Sequence, residues 1–278
     1  GGFNDVLVLV NDADSRTYQA TFEVKREFAN GFSARGAYTY SNSRDNSSSS
    51  CCISSTAILE TPTASSPNFL GEPGDDLVGS WGPADFERPH QVVVSGVAEL
   101  PWAGIMVSGI YRGQSGLPYT PTVDGDVNGD GRDDNDRAFI GAPGDILFDS
   151  PEDEAAYAAL LNEHECLADQ VGRIAGRNSC RNPWVNRLDA RLTLPFETGR
   201  GQRIELIADL FNVLNLLNED WGQVLSVGTL GQPVLEVEAF DETTGEFTYS
   251  TRGGFGQENP FGFTLRQWQL QLGARVEY

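Results

Sequence analysis

An all-β fold of antiparallel strands crossing a bilayer as a barrel is what this sequence predicts, and three observations predict it. Residues 264–278 alternate, with Trp268, Leu270, Leu272, Ala274, Val276 and Tyr278 on one face against Gln267, Gln269, Gln271, Arg275 and Glu277 on the other. Segments of this pattern recur along the chain, joined alternately by tight turns and long breaks. Charged residues keep to the face opposite the apolar one. Successive side chains of a strand point to opposite faces, so each segment has an apolar side and a wet side. About 9–11 residues suffice for a tilted strand to cross the hydrocarbon layer.

Taken in order, residues 5–11 (DVLVLVN) read as the end of a strand. Residues 17–27 set Tyr18, Ala20, Phe22 and Val24 against Gln19, Thr21, Glu23 and Lys25. Phe28-Ala-Asn-Gly31 is a hairpin turn, since an Asn-Gly pair tolerates the positive φ that tight turns demand. The return strand over 32–43 places Phe32, Ala34, Gly36, Tyr38 and Tyr40 on its apolar side. A break over 44–88 is rich in Ser, Pro, Gly and Asp. The second hairpin runs 90–101 and 105–112 about Trp102-Ala-Gly104, with Val92, Val94, Ala98, Leu100, Ile105, Val107 and Tyr111 apolar. Within the excursion 115–184, Ser150-Pro151-Glu152-Asp153 starts one helix with a cap, a proline in the first turn and a capping-box acid. Tyr157, Leu160, Leu161, Leu167 and Val171 form its stripe. The third hairpin joins 185–196 to 203–215 through Glu197–Gly201. The excursion 216–263 holds its own hairpin about Asp241–Gly245, and the final strand follows.

Short turns at one end and long loops at the other form the layout of outer-membrane barrels, whose turns are periplasmic and whose loops are extracellular. Phe28, Phe32, Trp102, Phe196 and Tyr278 gather at the short-turn end, where an interfacial girdle belongs. Glu23, Lys25, Arg35, Arg187, Asp189, Arg191, Glu205, Asp209, Arg275 and Glu277 lie on the opposite face. A cationic side chain turned to lipid at the midplane costs about 2–4 kcal/mol, so this face lines the lumen. The eight strands counted, the partial one at 5–11 included, suit part of a larger barrel.

Composition agrees. Only 39% of residues are apolar and no run reaches the roughly 18 residues of a membrane helix, which excludes a helical membrane protein. The formal charge of −21 excludes nucleic acid as a partner, because phosphate binding needs a basic face. Four cysteines, Cys51, Cys52, Cys166 and Cys180, allow three pairings. Cys166–Cys180 is the expected bridge because a short segment separates them, and disulfides belong to an oxidising compartment. The Gly1-Gly2 opening without methionine reads as a processed chain or a fragment.

Several stretches together resemble one family: TYQATFEVKREFANGFSARGAYTYSNSRDN (17–46), RPHQVVVSGVAELP (88–101), GIYRGQSGLPYT (109–120), DVNGDGRDDNDR (126–137), RNPWVNRLDARLTLPF (181–196), LFNVLNLLN (210–218) and WQLQLGARVEY at the end. In order and spacing the chain resembles the carboxy-terminal barrel of a TonB-dependent outer-membrane receptor of the Oar-like type. The resemblance implies residence in the outer membrane of a Gram-negative-type bacterium, a barrel plugged by an amino-terminal domain, and movement of a bulky ligand energised through TonB. The terminal alternating strand closed by an aromatic resembles the signal read by the barrel-assembly machinery.

The most site-like stretch is acidic. Asp126, Asn128 and Asp130 have the 1, 3, 5 spacing of a calcium loop, Arg132 offers a carbonyl, Asp134 sits at the ninth position, and Asp124 and Asp136 flank them. The twelfth position is Arg137 rather than the bidentate Glu, so Asp133 or Asp136 must substitute. The competing reading is a solvated acidic turn. Two histidines, His90 and His164, and no HExxH or GxSxG motif point away from an enzyme. The expected function is thus transport of an unidentified ligand, with a plug-less surface barrel acting as adhesin or scaffold as the alternative.

Overall fold

The computed structural model describes residues 15–29, 31–45, 81–101, 104–127, 133, 136–199, 201–228, 231–257, 259–260 and 267–277. The strand expected at 5–11, Cys51, Cys52, Trp102 and Tyr278 lie outside the described residues.

The chain opens with β1 (Ser15–Glu27) and β2 (Phe32–Asp45), followed by the two-residue β3 (Gly82–Pro83), β4 (His90–Leu100) and β5 (Ile105–Gln114). Between β5 and the next long strand come β6 (Pro118–Asp124), β7 (Phe139–Ile140), α1 (Pro151–Glu163), α2 (Glu165–Ala168), β8 (Arg173–Ile174) and β9 (Cys180–Arg181). Strands β10 (Val185–Glu197) and β11 (Arg203–Phe211) form the third hairpin. After it come α3 (Val213–Leu217), β12 (Leu225–Ser226), β13 (Gly231–Asp241), β14 (Glu246–Thr251), β15 (Asn259–Pro260) and β16 (Gln269–Glu277).

Seven long strands pair in the order β1-β2-β4-β5-β10-β11-β16, all antiparallel, with β3 extending β2. These are the expected strands apart from the one at 5–11. Register confirms the assignment of faces. Phe22 lies opposite Tyr38 and Tyr38 opposite Val92. Val94 faces Tyr111, Leu192 faces Ala208, and Ala208 faces Leu272. Side chains on this face stay open, with Phe22 70% and Leu272 74% exposed, as a lipid-facing surface requires. The tight turns close through glycine at positive φ, Gly31 at 75° and Gly201 at 79°.

The excursions are not simple loops. The described residues of 118–181 and 231–257 pack into a cap with a core of its own, built on Tyr119, Ile140, Tyr157, Leu167, Val234 and Leu235. The sheet of the cap runs β14-β13-β6-β9. Its β6–β13 pair is parallel, because β6 leaves the barrel sheet and β13 returns from a different connection, whereas the barrel sheet is antiparallel as expected. The hairpin expected about Asp241–Gly245 is β13–β14. The single expected helix is two: α1 ends at Glu163, His164 takes an extended conformation, and α2 adds one turn. Leu167 is buried from α2, whereas Val171 lies beyond both helices and is 43% exposed. The strand expected to reach 215 stops at Phe211, where Asn212 turns left-handed (φ 54°) and α3 begins.

Candidate ligand site at the mouth of the sheet

The inner face of the sheet carries a ladder of ion pairs. Every second residue of a strand shares a face, so the lipid-facing positions leave Glu23, Arg35, Arg112, Arg187, Asp189, Arg191, Glu205, Asp209, Arg275 and Glu277 inside. Arg35 pairs with Glu23 at 2.6 Å, Arg191 with Asp209, and Arg275 with Glu277 at 2.7 Å. Between these pairs the same face bears Val93, Val97 and Met106, each more than a third exposed. Alternation alone did not single them out, because they interrupt a polar face.

At the outer end the charges converge. Arg112 and Arg187 are direct cross-strand partners on β5 and β10, a like-charge pairing that is unfavourable by itself. Asp189 resolves it: its two oxygens accept from Arg112 Nη1 and Arg187 Nε, each at 3.1 Å, and Oδ1 also accepts from the Asn212 amide at 2.9 Å. Arg88 reaches the same place from the segment before β4 and donates to the Ser115 carbonyl. Its half-burial, and next the charge of Arg181, lower its pKa, yet a guanidinium so placed stays charged at neutral pH. These three arginines rim a cavity of about 440 Å³ whose apolar wall includes Leu117, Pro118, Val185, Val224 and Leu225.

The cap is fastened over this mouth by buried charge. Arg177, whose side chain is fully buried, pairs with Asp45 at 2.6 Å and Asp85 at 3.1 Å. Asn178 donates to Asp85 Oδ1 and to the Pro83 carbonyl, both at 2.7 Å. Arg181 binds Glu87 at 2.6 Å and donates to the Gly116 carbonyl. Burial, and then the neighbouring Arg177 charge, push Arg137 down to about 10. Gly116 itself has no room for a side chain: a Cβ there would sit 2.1 Å from the Asn182 carbonyl oxygen. The Cys166–Cys180 bridge forms as expected and ties α2 to β9.

Of the expected calcium ligands, Asn128, Asp130, Arg132 and Asp134 lie outside the described residues. Asp124 pairs with Arg252 at 3.4 Å. Asp136 is buried, and its Oδ2 accepts from the Val127 amide at 2.8 Å. Among the described residues no group of three or more His, Cys, Asp and Glu side chains converges as a metal site would need. Of the terminal signal, Leu270, Leu272, Ala274 and Val276 lie on the lipid face of β16, and Trp268 precedes it with its amide bonded to Asn215. Phe28 and Phe32 of the expected girdle stack at 5.3 Å. A second aromatic group, Tyr38, Tyr40, Tyr111 and Trp184, sits at the opposite end and was missed because long-loop ends carry no turn signal. Tyr40 lies about 27 Å along β2 from Phe32 at roughly 3.4 Å per residue, which a strand tilt of about 40° turns into about 21 Å of height, within an apolar membrane band of about 25 Å.

No curated protein and no solved structure matches the chain. A family model described as an outer membrane beta barrel domain matches residues 1–233. The match stops short of β16, but β16 continues the same sheet, in register with β11 from Arg203–Glu277 to Phe211–Gln269. With an apolar outer face, an ion-paired inner face and a matched stretch covering most of its length, this chain belongs to the outer membrane beta barrel domain family, and its strands lie in the outer membrane of a Gram-negative-type bacterium.

Proposed function

We propose that the sheet is the carboxy-terminal wall of a plugged barrel that moves a bulky ligand across the outer membrane under TonB control. The observation that carries this reading is the apolar patch of Val93, Val97 and Met106 on the inner face. A water-filled lumen would leave that patch wet, whereas a folded domain inside the barrel would cover it. The two edge strands support the reading as well. Among the described residues β1 and β16 each pair on one side only, and in this reading further strands close the wall, since a bilayer does not tolerate open edges. The barrel carries no enzymatic chemistry in this reading. The test is the structure of the full-length gene product in detergent. About twenty-two strands around an amino-terminal plug are expected. A plug-less barrel closed by eight strands would sink the transport reading.

The packed, disulfide-braced cap favours a second reading, in which the barrel is an adhesin or scaffold that presents the cap to a partner. In that reading the acidic segment 124–136 takes calcium. Chelation should then lower the temperature at which the cap unfolds, and an unchanged temperature would remove calcium from the account.

A further inference from the structure

We propose that the mouth cavity binds an organic anion, a carboxylate or phosphate group carried on an apolar body. The net charge of the chain is −21, yet this cavity has three guanidiniums on its rim and, among the described residues, no Asp or Glu in its lining. Arg112 and Arg187 share the single carboxylate of Asp189, whose oxygens are also engaged by the Asn212 amide. Arg88 has a carbonyl rather than a carboxylate as its partner. Three positive groups facing one negative group leave an excess of two, focused in a concave site with low-dielectric walls. Planar guanidinium forks match carboxylate and phosphate oxygens and bind them through paired hydrogen bonds. The wall of Leu117, Pro118, Val185, Val224 and Leu225 supplies the apolar half, as ligand sites generally do.

The facing of the strands selects the source of the anion. Arg112 and Arg187 lie on the side opposite Tyr111 and Leu188, so the cavity opens toward the barrel interior and away from the lipid leaflet. The occupant therefore arrives from solution rather than as a membrane lipid headgroup. This deepens the receptor reading by naming the class of ligand, but binding at the cavity can be measured without transport.

The test is equilibrium binding to the full-length protein in detergent with 2-naphthoate, 1-naphthyl phosphate, neutral 2-naphthamide and inorganic phosphate. Both naphthyl anions should bind, more weakly as salt rises, and the amide should not. Arg88→Gln should weaken the anions by about ten- to a hundredfold, the range for a hydrogen bond to a charged group. Because Arg112 and Arg187 also hold Asp189, the second variant leaves every guanidinium in place: Leu225→Glu sets a carboxylate in the wall and should weaken both anions as well. Equal binding of the amide, anion binding untouched by both variants, or no binding of either anion would overturn the proposal. Inorganic phosphate binding as tightly as naphthyl phosphate would overturn the apolar half. If the anions bind but the full-length protein proves plug-less, the receptor reading fails and the site stands.

Discussion

Arg177 shows what a single buried residue does in this chain. Its guanidinium joins Asp45, at the end of a membrane strand, to Asp85, in the segment leading to the next one. Removing one partner of a buried charge pair costs about 3–5 kcal/mol, because the remaining carboxylates lose the cation that offsets their desolvation. Arg177→Met should therefore loosen the cap from the sheet, read as faster amide exchange over 81–88 and 118–124 with the membrane strands unchanged. Asn212 is a second such position. It holds a left-handed backbone, its main-chain amide restrains Asp189 and its buried side chain donates to the Gly222 carbonyl, so Asn212→Gly should keep the turn and cost only the side-chain bond, about 0.5–1.5 kcal/mol. Asn212→Val should cost about 1–3 kcal/mol in unfolding measurements, since a β-branched residue resists positive φ. Neither role could be seen in the sequence. Arg177 sits in an unremarkable Gly-Arg-Asn run, and its partners lie 132 and 92 positions away.

Local signals did better with elements. The start of α1 follows its cap: the Ser150 hydroxyl accepts from the Asp153 amide, and Asp153 in turn accepts from the Thr251 amide on β14. The Ser150 hydrogen bond, and next that from Thr251, hold the Asp153 pKa below its ordinary 3.8. That contribution to stability is complete above 3.8 and is lost as pH falls from there through the folded pKa. Cap unfolding followed by circular dichroism should thus weaken on acidification below 3.8, with a smaller slope in Asp153→Asn. The disulfide is also an element-scale device. Its cysteines are 14 positions apart, and a closed loop of about 15 residues is worth roughly 3 kcal/mol. The double change of Cys166 and Cys180 to Ala should lower cap stability by about that much and leave the barrel sheet folded. On β16, Leu272→Arg should cost about 2–4 kcal/mol in folding into vesicles, whereas Gln271→Arg on the inner face should cost little. Equal costs at the two positions would contradict the assignment of faces.

At the scale of the whole molecule, one chain builds two kinds of core. The sheet has none of its own: β1 and β16 are exposed along their entire length, and its apolar side relies on lipid. The cap buries its apolar residues in the ordinary way, with Ala138, Ile140, Tyr157 and Leu167 closed to solvent. Its burial pushes the Tyr157 hydroxyl up to about 12. The two parts meet at the arginine-rimmed cavity, so a ligand there touches both barrel strands and the cap.

The sequence by itself determined the strands, their order and their faces, because side-chain alternation is a local property and each tight turn bears its own glycine. It also determined the helix start and the β13–β14 hairpin, which rest on residues a few positions apart. Only the tertiary structure decided that the described parts of the second and third excursions fold into one cap, that β6 and β13 run parallel, and that Arg88, Arg112 and Arg187 share one cavity. Those features join residues far apart in the chain through buried charge and packing, and nothing in local periodicity encodes such partners.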